Sequence, residues 1–178
     1  TTANIPASVS KLGDHIFRSD AALKNVTWAP GFQAPTETTD TDSTYQTYTG
    51  AYVPTSMFDG CTSLGEGVEL SAWLPSSFKG IGCAAFRGTA FTVDFEKWDN
   101  LTYIGAYAFA SMQNLKSFTL SDKITIGIRG DSSNAFNGSK LEKMTIDVEN
   151  VPKAFAPNAQ FGEFQLTDKV KVISDSAF

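Results

Sequence analysis

The stretch IGAYAFASMQNLKSFTL, residues 104–120, changes its apolar spacing halfway along. In its first part Ile104, Ala108 and Phe109 fall at i, i+4 and i+5, which suits a single helical turn. In its second part Phe118, Thr119 and Leu120 alternate apolar and polar, the period of a short strand with one buried face. So short a unit cannot bury its own apolar face, and units of this kind fold by stacking on one another.

Further copies lie on both sides. IGCAAF at 81–86 and ISDSAF at 173–178 repeat the first part, and looser copies end at Phe17, Phe58, Phe136 and Phe155. From Phe58 onward these phenylalanines are 28, 23, 27, 19 and 23 residues apart, so the working period is about 23. LSDKITI at 120–126 and LTDKVKV at 166–172 match independently, offset by 46, twice that period. The alternating part recurs as FTVDF at 91–95, LEKMTI at 141–146 and FGEFQL at 161–166. These patterns predict an α/β repeat solenoid of six strands, with a parallel sheet on one face and short helical turns opposite. Phe17, Phe58, Phe86, Phe109, Phe136, Phe155 and Phe178 are expected to stack as a core ladder.

The motifs resemble the Bacteroides surface protein A-like (BspA-like) leucine-rich repeats, whose unit reads roughly LPxxLxxIGxxAFxxCxxLxxLxL. Ile5, Pro6, Val9, Leu12 and Gly13 match its first half, as do Leu74, Pro75, Phe78, Ile81 and Gly82. Phe58, Cys61 and Leu64 match its second half, and the resemblance covers residues 1–28 and 53–178. It implies a right-handed leucine-rich-repeat solenoid forming a single domain over 1–178, with about six to seven units. It also implies a bacterial cell-surface or secreted protein, non-catalytic, that mediates adhesion by binding a protein partner such as a host matrix protein. The alternative is a spacer module of a larger surface protein with no ligand of its own.

Composition argues against other classes. Lys and Arg number 14 against 19 Asp and Glu, a net charge of −5, which argues against a nucleic-acid partner. No apolar run approaches the roughly 18 residues of a spanning helix. One His and two Cys leave little for a metal site or triad, so no cofactor and no enzyme activity are expected. His15 stands without a nucleophile beside it, on an exposed turn position. Cys61 and Cys83 read as buried thiols between coils; a disulfide needs Cα atoms about 5.5 Å apart, which spacing does not decide. Asp40 and Asp42 alternate as calcium ligands do, but the stretch lacks the glycine and glutamate of an EF-hand loop, and solvated loop acids are expected. Glycosylation sequons at Asn25, Asn100 and Asn137 matter only in a eukaryotic source.

Candidate binding residues fall in two places. Residues 29–52, rich in Thr, interrupt the repeats and read as an inserted loop carrying exposed Tyr45, Tyr48 and Tyr52. Strand alternation turns Thr27, Glu69, Asp94, Thr119, Thr145 and Gln165 outward, one per coil, in a single polar column. That face lacks the aromatic residues of a hot spot or sugar platform, and Trp73 and Trp98 read as core or edge positions. Thr1 without a preceding Met, and Phe178 opening a unit that lacks its strand, lead to two expectations. Either the chain is a piece of a longer protein, or the last half-unit is a cap.

Overall fold

The computed structural model describes residues 1–41 and 47–178. In chain order the first strands are β1 (Thr2–Ile5), β2 (Asn25–Trp28), β3 (Thr38–Thr41), β4 (Thr47–Gly50) and β5 (Tyr52–Val53). A four-residue helix α1 (Leu70–Trp73), β6 (Gly80–Ile81), a 3-10 turn (Phe95–Lys97) and β7 (Tyr103–Ile104) follow. The chain continues through β8 (Leu115–Ser121), β9 (Thr125–Ile126), β10 (Lys140–Asp147), β11 (Asn150–Val151), β12 (Gln160–Leu166) and β13 (Val172–Ile173).

These pieces wind into a β-solenoid. Its broad wall is the parallel ladder β8–β10–β12, in which Phe118, Met144 and Phe164 are level, as are Leu120, Ile146 and Leu166. Single bridges, Val93 to Leu115 and Glu69 to Thr92, carry this wall toward the N-terminus, where β1 and β2 pair in parallel. A second wall is the ladder of two-residue strands β5–β6–β7–β9, with β11–β13 beyond it. The expected strands around Glu69 and Val93 are cut short. The Glu69 carboxylate accepts from the Ser71 N–H and starts α1, while Asp94 accepts from the Glu96 N–H and starts the 3-10 turn. A capped turn satisfies backbone donors locally that a longer strand would send to its neighbour.

The third wall differs from expectation, because the Ala-Phe segments are corners and not helical turns. The residue two before the phenylalanine has positive φ at His15, Ser56, Ala84, Tyr107, Asn134 and Ser176, and the residue two after it at Ser19, Gly60, Gly88, Ser111 and Gly138. Within a corner the bonds run i to i+3, as from Arg87 N–H to Ala84 O at 3.3 Å. Between corners they run coil to coil. Ala84, Phe86 and Gly88 donate to the carbonyls of Ala106, Ala108 and Ala110 at 2.8, 3.0 and 2.9 Å. Left-handed residues turn these N–H groups out of the coil and onto the next one, which a helical turn would prevent.

Inside, the phenylalanine ladder forms from Phe17 to Phe155. Ring centroids from Phe17 to Phe58, Phe86, Phe109 and Phe136 are 5.6, 5.4, 6.4 and 5.8 Å apart in stacked pairs, and Phe155 meets Phe136 edge-on at 5.4 Å. Phe178 does not join it. Its ring lies against Phe164 at 4.8 Å and is 38% exposed. β12 has a paired neighbour on one side only, so its inward Phe164 and Leu166 are 42% and 41% exposed. Cys61 and Cys83 are free buried thiols, and burial pushes both pKa values up to about 11.

The inserted segment is also more ordered than a loop. β3 and β4 form an antiparallel hairpin, with Asp40 opposite Tyr48. Asp40 is not a solvated acid; it is 4% exposed. It accepts from the Tyr103 hydroxyl at 2.7 Å, the Thr55 hydroxyl at 2.8 Å and the Cys83 N–H at 3.0 Å. Glycine is required beneath it, since a Cβ on Gly105 would lie 2.6 Å from the Asp40 Oδ2 and 2.5 Å from the Cys83 nitrogen. The Ile-Gly glycine of this coil therefore makes room for the docked carboxylate. Gly13, in the first coil, has nothing within 4 Å of an added Cβ. Asp42 and Tyr45 lie outside the described residues.

Phe109→Ala is expected to cost about 3–5 kcal/mol in urea unfolding, the range for a fully buried Phe, while Phe178→Ala costs about 1 kcal/mol or less. Equal losses at the two sites would contradict the ladder as described. Asp40→Ala strands three donors and is expected to cost about 2 kcal/mol; Tyr103→Phe, which keeps the ring, costs about 1 kcal/mol. Iodoacetamide at pH 8 is expected to leave both thiols unmodified in the folded protein and to label both in urea, as mass spectrometry would record.

Candidate functional site

The outward column of the broad wall holds only in part. Thr119, Thr145 and Gln165 are level across β8, β10 and β12. Asp94 instead follows Val93, which is level with Leu115, so it falls beside Lys116 and out of the threonine row. Glu69 is level with Thr92, a residue earlier again. Both acids are occupied by the fold. The Glu69 carboxylate accepts from the Asp94 N–H at 3.0 Å as well as capping α1, and Asp94 pairs with Lys97 at 3.1 Å. Thr27 sits apart on β2, its hydroxyl 3.2 Å from Asn4 Oδ1. Around the threonine row the charges neutralise one another from coil to coil, Lys116 with Glu142 and Lys143 with Glu163. These exposed pairs are screened by salt and set the tone of the surface more than its stability.

The hairpin presents a different surface. Tyr48 and Tyr52 are half-buried, packed on the two sides of Tyr103 with centroids at 4.9 and 4.7 Å. Burial and the neighbouring Asp40 charge raise the Tyr52 pKa, and the same two causes push that of Tyr103 far above its ordinary value. Aromatic pairs of this kind have preferred geometries, and these two contacts join the hairpin to the second wall. Tyr103 and Thr55 were not legible as partners of the insertion, because the contacts lie 63 and 15 residues from Asp40.

His15 is exposed at the first corner, where its N–H donates to the Thr55 carbonyl at 3.0 Å. Trp98 is buried, and Trp73 is an edge residue whose indole N–H donates to Asn25 Oδ1 at 3.1 Å. Asn25 is exposed, while Asn100 donates to the Ser76 carbonyl at 2.6 Å. Among the described residues no three His, Cys, Asp or Glu side chains come together as metal ligands, and no helix is long and apolar enough to cross a membrane.

A fold comparison matches the crystal structure of the pneumococcal vaccine antigen PcpA at 19% identity and a TM-score of 0.49, over 97% of this chain and 44% of that one. The chain thus spans less than half the length of that protein. No curated protein matches it in sequence. The profile of the BspA type leucine rich repeat region matches in six copies, over residues 43–148 and 79–178. Those spans take in all but the first coil and part of the insertion, and the chain belongs to the BspA-type leucine-rich repeat family.

Proposed function

We propose that the chain is a non-catalytic binding module of a cell-surface or secreted protein, and that it engages a protein partner, with host matrix proteins the first to test. The observation that supports this reading is the docked hairpin. A parallel solenoid stacks through its walls and corners without any antiparallel element, yet β3 and β4 are held on its flank by the buried Asp40 and the Tyr48–Tyr103–Tyr52 stack. Rigid presentation lowers the ordering cost that a flexible loop pays on binding. Tyr48 and Tyr52 on this side, Tyr45 in the sequence between them and β3, and Thr119, Thr145 and Gln165 on the broad wall are the proposed contact residues; Glu69 and Asp94 enter as its N-terminal border.

A second reading, a spacer without a ligand, draws support from the broad wall itself, whose Lys–Glu pairs leave few charges unmatched. The two readings part in a binding assay against a panel of matrix proteins. Removing residues 31–50 would also remove Phe32, 5% exposed in the core, so replacing residues 42–46 with Gly and Ser is the cleaner variant. Saturable binding by the parent chain, lost on replacement while circular dichroism and urea unfolding stay unchanged, is the expected result. No binding by the folded parent would leave the spacer.

A further inference from the structure

The sequence contains three arginines, Arg18, Arg87 and Arg129, and all three line one groove of about 400 Å³ on the corner wall beside the hairpin. None of its lysines lines it, although lysines supply the remainder of the 14 basic residues. The repeat explains part of this convergence. Arg18, Asp59 and Arg87 each follow a corner phenylalanine, so stacking puts them in one column across three successive coils. Asp59, its side chain 6% exposed, takes the Arg87 Nε and Nη2 in two bonds of 2.7 Å and the Arg18 Nε at 3.2 Å. One buried carboxylate thereby holds two guanidinium groups whose side chains remain 50% and 41% exposed. Arg129 arrives from the excursion after β9 and makes no ion pair among the described residues.

Arginine at such a place differs from lysine, since a planar fork pre-set by one carboxylate can present its remaining N–H groups to a second one in fixed geometry. Asp14 and exposed His15 stand at the same groove. With His15 neutral, the lining sets three arginines against Asp14 and Asp59, with the Asp40 carboxylate behind it on Thr55 and Cys83, in a chain whose net charge is −5. A polyanionic glycan needs a run of separate cations and would meet Asp14 and the acidic remainder of the surface. A single carboxylate needs only the free fork.

We infer that this groove is a binding site for a carboxylate side chain in an acidic peptide segment of the partner. It rests on the reading of the chain as a binding module and specifies what that partner offers. Arg18 and Arg129 make the contact with their open N–H groups, while Asp59, itself held by Arg87, positions Arg18.

The test is fluorescence anisotropy of the intact 178-residue chain with a rhodamine-labelled peptide of alternating Gly and Glu. A Gly and Gln peptide and a heparin oligosaccharide run beside it. Saturable binding of the Glu peptide that weakens with salt is expected, with Arg129→Gln and Arg18→Gln each weaker by about tenfold, one charge-assisted contact. Arg129→Lys should recover part of that loss, and Lys24→Gln, outside the groove, should leave binding unchanged. Equal binding of the Gln peptide, tighter binding of heparin, unchanged binding by Arg129→Gln, or no binding by the folded chain would each overturn the assignment. Matrix-protein binding that survives in Arg18→Gln and Arg129→Gln while the peptide fails would remove this site and leave the module reading standing.

Discussion

Three main-chain hydrogen bonds join each Ala-Phe corner to the next along most of the solenoid, and the remaining features are arranged around making them possible. Each set requires two left-handed residues per corner, one on either side of the phenylalanine. For residues other than glycine that conformation costs roughly 1 kcal/mol or more. The cost is offset by the ring it turns inward, since Phe58, Phe86, Phe109, Phe136 and Phe155 are fully buried, and by N–H groups that would otherwise be orphaned in the stack. Close approach then dictates glycine at the Ile-Gly step, where the backbones of adjacent coils meet.

Because the corners fix the distance between coils, variation in repeat length is accommodated elsewhere. The 28-residue step from Phe58 to Phe86 places its excess in α1, and the 27-residue step from Phe109 to Phe136 in the excursion that carries Arg129. Across steps of 19 to 28 residues the ring centroids stay between 5.4 and 6.4 Å. The hairpin is the largest such excursion. All three leave a coil and return to it with the corners undisturbed, which is why added chemistry collects at these places.

The periodic half of this architecture was legible in the sequence and the exceptional half was not. Alternation at Phe118-Thr119-Leu120 gave β8 its strand and its inward face, since period two permits little else there. The corners were misread because the spacing of Ile104, Ala108 and Phe109 fits a helical turn as well as a left-handed corner, and Tyr107 carries no mark of its positive φ. Asp40 was misread for another reason. A carboxylate in a Thr-rich run looks solvated, and its donors come from coils distant in sequence that only the stacking brings near. The level row of Thr119, Thr145 and Gln165 follows from the repeat, whereas Glu69 and Asp94 fall out of it because each caps a turn that ends its strand early.

The distribution of charge distinguishes the two surfaces. On the broad wall an acid on one coil faces a lysine on the next, as in Lys116 with Glu142; the flanking Glu149–Lys171 pair continues the pattern, and Asp122–Lys169 spans two coils. Such pairing suppresses contact with any strongly charged partner of either sign. Along the corner wall the same stacking rule yields an odd number, two arginines to one buried aspartate, and the excursion adds a third arginine. A repeat that places one charge per coil can cancel only in pairs. Where the run stops at three, one guanidinium is left in excess, and that excess is the positive feature through which an otherwise acidic solenoid can select an anionic group.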